Sequence, residues 1–295
     1  MTTPVDRMCP KPRTLLIATD LSARCDRAFD RAVRLAAVWG ARLIAVTVVE
    51  RSAVEQPFAS DLPPWRRAGN PIERATARLR AHAAGVGAEM GMIVETGDPA
   101  DVIARVAAER ECDLIVCGIP RDETLVRFGL GSAVDRLLRR TAIPLLIARK
   151  RPAGEYGSIV AGTDFSPHAR HALETAIRWF PGCPTTVLHT FDLPFAGMVA
   201  DRDAMAQQFR QSAETNCAAF LDSADIPASA RASVTTLVEQ GAPEQIFKLF
   251  AENFDTDLVV LGSAPRSAAL DFLIGNTATQ IMGRLSCDTL IVRQP

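Results

Sequence analysis

Leu15-Leu16-Ile17-Ala18-Thr19-Asp20-Leu21-Ser22 and Ile159-Val160-Ala161-Gly162-Thr163-Asp164-Phe165-Ser166 are one pattern written twice. Each is a short apolar run that ends in Thr-Asp, one bulky residue and Ser. The match continues downstream. Gly97-Asp98-Pro99-Ala100-Asp101-Val102-Ile103 is echoed by Gly241-Ala242-Pro243-Glu244-Gln245-Ile246, and Asp113-Leu114-Ile115-Val116-Cys117-Gly118 by Asp257-Leu258-Val259-Val260-Leu261-Gly262. Gly131 answers Gly275, and Arg149 answers Arg293. Each of these landmark pairs is separated by 144 positions, as Asp164 is from Asp20. A fixed period of this length is a duplicated domain; solenoid repeats are far shorter. The joint falls in the polar, Pro- and Gly-bearing stretch Lys150-Arg151-Pro152-Ala153-Gly154-Glu155, so the expected domains are 1–150 and 155–295.

Within the first copy, apolar runs at Thr14–Thr19, Leu43–Val49, Met92–Glu95, Leu114–Cys117 and Leu145–Ala148 read as strands. They are continuous, not alternating, as expected when helices cover both faces of a sheet. Between them lie amphipathic segments near Arg24–Trp39, Pro71–Ala84, Pro99–Glu109 and Ser132–Arg140. Helix starts are marked by Ser166-Pro167 and Asp98-Pro99, a capping side chain followed by proline at the first helical position. Gly40 marks a helix end. Strand–helix alternation implies right-handed crossovers and a parallel sheet. The expected fold is therefore α/β: two tandem Rossmann-like domains, each a five-stranded parallel sheet with helices on both faces, in the flavodoxin-like order 3-2-1-4-5. Arg51–Asn70, with Pro57, Pro63-Pro64 and Trp65, reads as a long loop after strand two; Asp192–Asp203 is its shorter counterpart.

Bulk properties exclude several classes. Lys plus Arg (33) nearly cancels Asp plus Glu (34), leaving a net charge of −1 and no general pull toward nucleic acid or anionic lipid. No run supplies the roughly 20 apolar residues of a membrane span. Met1–Arg13 lacks the apolar stretch of a signal peptide, so a cytoplasmic location is expected. The seven cysteines (Cys9, Cys25, Cys112, Cys117, Cys183, Cys217, Cys287) form no C-x-x-C pair and read as reduced thiols, Cys112 and Cys117 as small core residues. His168 and His171 lie three apart, but no Cys/His pair completes a zinc set.

In an open parallel sheet, ligands gather beyond the carboxyl ends of the strands at the switch point. Asp20 and Asp164 end the first strands, and Gly118 and Gly262 end the fourth. Gly131-Ser132 opens the last helix of copy one, where free backbone N–H groups and the helix dipole suit a phosphate. Each residue also has an ordinary role. Asp20 and Asp164 can cap the next helix, Gly118 and Gly262 can permit a tight turn, and Ser132 and Asn276 can be plain N-caps. It is the combination at fixed spacing that points to a ligand.

Thr19-Asp20-Leu21-Ser22, Thr163-Asp164-Phe165-Ser166, the Asp113–Gly118 run and Gly131-Ser132-Ala133 together resemble universal stress protein domains. The resemblance covers nearly the whole chain in two copies. It implies an adenine nucleotide, ATP or another, with Mg2+ as an accompanying ion. Phosphates and ribose would sit on a G-x2-G-x9-G-(S/T) loop, with the first-strand aspartate and a residue near the end of strand two facing adenosine. By position these are Asp20, Val48, Gly118, Arg121, Gly131, Ser132 and Ala133 in copy one, and Asp164, Thr190, Gly262, Gly275 and Asn276 in the weaker copy two. Both copies depart from the motif. Arg121 replaces the second glycine, and copy two has Pro265 and Asn276. Proline offers no N–H and no positive φ.

No G-x-x-x-x-G-K-(S/T), no G-x-G-x-x-G after the first strand and no G-x-S-x-G occurs. The leading expectation is a tandem stress protein that acts through conformation or an unknown protein partner, with at most slow ATP hydrolysis and no catalytic residue named. The resemblance further implies an internal pseudo-dimer of the two copies and pairing of two chains as a homodimer. Two other classes stay open. One is an interaction module with degenerate pockets; the other is an enzyme whose 51–70 loop covers a small substrate.

Overall fold

A computed structural model describes residues 10–23, 25–50, 70–87, 89–118, 132–193, 202–263 and 276–293. Main-chain proximity divides the chain into two compact units, Pro12–Pro152 and Ala153–Pro295, the second joined by Pro10 and Lys11. The Trp179 indole N–H donates to the Pro10 carbonyl at 3.1 Å and ties that N-terminal segment down.

The first unit runs β1 (Thr14–Ala18), α1 (Asp26–Trp39), β2 (Arg42–Val49), α2 (Pro71–Val86), β3 (Gly91–Thr96), α3 (Pro99–Glu109), β4 (Leu114–Gly118), α4 (Ser132–Arg140) and β5 (Leu145–Ala148). All its pairings are parallel: β1 lies between β2 and β4, β3 flanks β2, and β5 flanks β4. Leu15, Leu16 and Ile17 are wholly buried, which is why β1 reads as an unbroken apolar run. Asp98 caps α3 by accepting from the N–H groups of Ala100 and Asp101, with Pro99 at the first position. Asn70, the last residue of the expected loop, caps α2 in the same way through Ile72 N–H. Gly40 closes α1 in the left-handed conformation at φ 63°, where a side chain would be strained.

The second unit runs β6 (Ile159–Gly162), α5 (Pro167–Trp179), β7 (Thr185–Phe191), α6 (Arg202–Ser223), α7 (Ala228–Arg231), β8 (Val234–Gln240), α8 (Pro243–Asn253), β9 (Leu258–Ser263), α9 (Asn276–Arg284) and β10 (Asp288–Arg293). Its pairings repeat those of the first unit: β6 between β7 and β9, with β8 beyond β7 and β10 beyond β9. Helices cover both faces. Ala161 and Val187 meet Leu173 of α5 and Phe220 of α6 on one face. On the other, the ring of Phe247 from α8 and the side chain of Leu261 crowd Gly162 so closely that a Cβ there would sit 2.7–2.9 Å from them.

The repeated aspartate before the fourth strand has a structural task. Asp113 Oδ2 accepts from the backbone N–H groups of Arg13 (2.7 Å) and Thr14 (3.0 Å), and Asp257 Oδ2 from Gly157 N–H at 2.8 Å. Each carboxylate thus pins the entrance of the central strand to the strand beside it.

Candidate functional site

The site is built from the exit of the central strand. In the first unit the ladder continues one residue past β1, with Thr19 N–H donating to Val46 O at 3.0 Å. The chain then folds over on its own side chains. Thr19 Oγ1 accepts from Leu21 N–H at 3.0 Å, and Asp20 Oδ1 accepts from Ser22 N–H at 2.8 Å and from Ser22 Oγ at 2.5 Å. These bonds hold Leu21 at φ 57°, a left-handed conformation that costs a bulky residue about 1–2 kcal/mol. Arg78, reaching from α2, adds a bond from Nη2 to the Leu21 carbonyl at 2.7 Å.

Asp20 is therefore not the cap of α1. That helix starts six residues later, at Asp26, with Cys25 at the cap position and no capping side chain. Asp20 closes a turn instead, and it stands exposed at the strand end. Cys25 lies beneath it. Burial foremost, and then the Asp20 carboxylate, push the Cys25 thiol up to about 11, and burial pushes that of Cys117 up to about 12. Both thiols are protonated and unreactive at neutral pH.

Around Asp20, Ala18 is in register with Cys117, so Gly118, the last residue of β4, ends the neighbouring strand one position further on. Strands in a sheet lie about 4.8 Å apart, which brings Thr19-Asp20 and Gly118 to one edge. Val48 is half-buried near the end of β2, in register with Glu95. Next to it Thr47 is buried, and its Oγ1 has no hydrogen-bond partner. Ser132 opens α4, with Ala133 exposed in its first turn. Arg121 and Gly131 lie outside the described residues.

The second unit repeats the turn. Thr163 N–H donates to Leu188 O at 3.0 Å, Thr163 Oγ1 accepts from Phe165 N–H at 2.9 Å, and Asp164 Oδ1 accepts from Ser166 N–H at 3.0 Å. Phe165 stands at φ 64°. The Ser166 hydroxyl is used differently, accepting from Ala169 N–H at 3.2 Å as the cap of α5. Phe165 is braced by packing, its ring 4.3 Å from that of His189 and 6.0 Å from that of Phe220. His189 in turn donates from Nδ1 to Thr163 O at 2.9 Å, which fixes its tautomer.

Gly262 corrects the tight-turn reading. Its φ is not left-handed; what excludes a side chain is space. A Cβ there would lie 2.4 Å from the carbonyl oxygen of His168 and 2.7 Å from Ala169 N, so the first turn of α5 rests directly on the strand. Ser263 is 2% exposed with no partner for its Oγ, and His168 Nδ1 is buried and likewise unpartnered. Thr190 is half-buried, in register with Glu239. Asn276 is the first residue of α9, and Gly275 and Pro265 lie outside the described residues.

Among the described residues no group of three or more His, Cys, Asp or Glu could hold a metal ion, and no helix is long and apolar enough to cross a membrane. A family model, that of the Universal stress protein family, matches residues 12–149 and again 155–293. The chain belongs to the universal stress protein family.

Universal stress protein E of Escherichia coli (strain K12) is 38% identical over 58 residues, 20% of this chain and 18% of that protein. The match thus spans less than a fifth of the curated relative's length. The homologue from Haemophilus influenzae is 34% identical over 58 residues. Solved structures extend the likeness over nearly the whole chain. A functionally unknown protein from Pseudomonas aeruginosa PAO1 has a TM-score of 0.66 at 17% identity, covering 96% of this chain and 92% of that one. A putative universal stress protein from Pseudomonas aeruginosa UCBPP-PA14 has a TM-score of 0.64 at 18% identity, covering 96% and 93%. At that identity the likeness is one of fold.

In both universal stress protein copies, sequence reasoning missed the residues that make the turn work. Thr19 and Thr163 read as strand ends, yet their hydroxyls accept the N–H of the left-handed residue. Arg78 and His189 carry no local signature, because each reaches the turn from another element.

Proposed function

We propose that this tandem universal stress protein binds an adenine nucleotide, chiefly in its first half, and acts in the cytoplasm in stress response through conformation or protein partners. The observation that carries the reading is the exposed Asp20 carboxylate, held on a strained, fully bonded turn at the exit of the central strand, beside Gly118. A carboxylate fixed in this way is preorganised to accept hydrogen bonds from ribose hydroxyls or an adenine amine. The spacing Gly118, Arg121, Gly131, Ser132 supports a phosphate position at the start of α4, where backbone N–H groups and the helix dipole favour an anion. Arg121 adds a cationic partner for phosphate, and Mg2+ would accompany the phosphates. Pro265 and Asn276 make the second half the weaker site, since each backbone or hydroxyl donor removed from a phosphate costs about 1–3 kcal/mol.

Isothermal titration of the full chain with ATP tests this. One nucleotide per chain is expected. Asp20→Asn keeps an oxygen that can accept from Ser22 N–H and so preserves the turn, and it should weaken binding roughly tenfold. Asp164→Asn should leave binding unchanged. A chain that binds no ATP, or two nucleotides with equal affinity, overturns the proposal.

A further inference from the structure

Two arginines of α2 stand beside the first-half turn without an acidic partner among the described residues. Helix α2 connects β2 to β3, and because those strands are parallel it must run back from the strand exits to the strand entrances. Its first turns therefore lie at the same edge of the sheet as Asp20. Arg74 and Arg78 are four positions apart, so they share one face of this helix, and both are exposed. Arg78 is fixed in place by its bond from Nη2 to the Leu21 carbonyl at 2.7 Å, one residue on from Asp20. That bond engages a neutral acceptor and leaves the positive charge uncompensated. Glu73, the acid next in sequence, is exposed a further 100° round the helix and pairs with neither arginine.

Like charges at this spacing repel and oppose the helix that carries them. Elsewhere in the first half the chain avoids this, pairing Arg105 with Glu95 and Glu109, Arg136 with Asp98 and Arg140 with Asp101. The second half has no such pair of cations at the equivalent positions. There, 144 residues later, stand Ala218 and Asp222, and Asp222 is itself paired with Arg231. The uncompensated charge thus belongs to the half whose aspartate turn is open to a ligand. A guanidinium held on a carbonyl by one nitrogen keeps its remaining N–H groups in a rigid planar fork, which suits the oxygens of a phosphate. Its position beside Asp20 says where on a nucleotide that phosphate would be. In dinucleotide folds an acidic residue at the ribose reads free hydroxyls, and an arginine close by accommodates a phosphate on the ribose.

We propose that Arg74 and Arg78 form an anion subsite at the ribose edge of the first-half site. The preferred ligand is then an adenine nucleotide that carries a phosphate on its ribose 2′ or 3′ oxygen as well as on the 5′ oxygen. This rests on the reading of the first half as an adenine nucleotide site, with Asp20 facing the ribose.

Isothermal titration of the full chain with adenosine 3′,5′-bisphosphate, its 2′,5′ isomer and ADP tests it, since all three carry two phosphates. At least one bisphosphate should bind about tenfold more tightly than ADP. The quantity to follow in the variants is the ratio of the two affinities. Arg74→Gln with Arg78→Gln should bring that ratio to within about twofold of one. Arg78→Lys keeps the charge but not the fork, and should retain part of the preference. Melting temperature checks folding. Arg74→Gln alone, which leaves the Leu21 bond intact, should cut the ratio about threefold and decides the matter where the double variant does not fold. A parent that binds ADP as tightly as both bisphosphates, or a preference that survives the loss of the arginines, overturns the proposal and leaves the nucleotide reading standing. A parent that binds none of the three overturns both.

Discussion

In the first half the left-handed Leu21 is braced from outside, by Arg78 donating to its carbonyl. In the second half Phe165 occupies the same position and is braced from within, its ring against His189 and Phe220. The carbonyl of the last strand's arginine shows a similar exchange. Arg27 donates to Arg149 O at 2.6 Å, whereas His171, 144 positions later, serves Arg293 O. A third contrast lies on the outer helices. Asp98–Arg136 at 2.7 Å and Asp101–Arg140 at 3.3 Å tie α3 to α4, but the second half has Ala242, Gln245 and Gln280 at the positions of Asp98, Asp101 and Arg136. The main-chain path is set by short side chains that bond to their own neighbours, namely Thr19, Asp20, Thr163 and Asp164. The side chains that brace this turn from other elements, Arg78 in one half and His189 with Phe220 in the other, differ. Duplication has therefore kept one turn and produced two chemical surroundings for it.

The strongest way to break this comparison is at Gly262. Gly262→Ala drives a methyl group into the His168 carbonyl, a backbone contact that cannot rotate away. A loss of about 3 kcal/mol is expected, read by urea unfolding of the full chain. Gly283→Ala, in open space in the last turn of α9, is the control and should stabilise by about 0.5 kcal/mol. If both variants unfold alike, close packing is not what keeps Gly262 a glycine.

The bracing residues come next. Phe165→Gly removes a ring packed into two clusters of the second half and should cost about 2–3 kcal/mol. Leu21→Gly relieves a left-handed strain of about 1–2 kcal/mol while losing a modest contact, so its net change should stay within about 1 kcal/mol. Equal losses at the two positions would show that the turns are supported alike.

Much of this architecture was legible in the sequence. The repeat, the parallel sheets, the caps at Asp98 and Ser166 and the stop at Gly40 all follow from local chemistry, and local chemistry is what sequence displays. The candidate site was legible in place but not in mechanism. A left-handed Leu or Phe leaves no mark, because the signal for positive φ is glycine or asparagine. Taken singly, Asp20 read more readily as a helix cap, and the five residues between it and α1 decide against that role. Gly262 could not be told from a turn glycine, since its neighbour in space, His168, is 94 positions away (262 − 168).

Smaller effects sharpen the contrast between the outer helices. Asp98→Ala gives α3 the residue found at the start of α8 and should cost about 1 kcal/mol, chiefly through the lost cap. Ala242→Asp should return about 0.5–1 kcal/mol to the second half. A null result in both would assign those helix starts to packing alone.

The smallest effect is one of pH. Burial holds the His171 imidazole below its usual range. Below the ordinary histidine value of about 6.5, the unfolded chain therefore binds a proton that the folded chain resists. Its contribution to stability is complete above that value and falls away as the pH drops. His171→Gln should flatten the dependence of melting temperature between about pH 5 and 7. Arg27, which holds the matching carbonyl in the first half, carries its charge throughout and gives no such slope. An unchanged slope in the His171→Gln protein would place its origin elsewhere.

The seat of α5 on Gly262 has a mechanical meaning. Atoms in van der Waals contact do not compress, and close-packed elements transmit strain with little loss. Any shift of the β9 exit toward His168 is therefore delivered to the whole of α5, 13 residues and about 20 Å long. At the far end of that rod stands Trp179, whose indole holds the Pro10 carbonyl. Strand exit, helix and N-terminal segment form a linkage, with the glycine as its bearing and the indole as its pin.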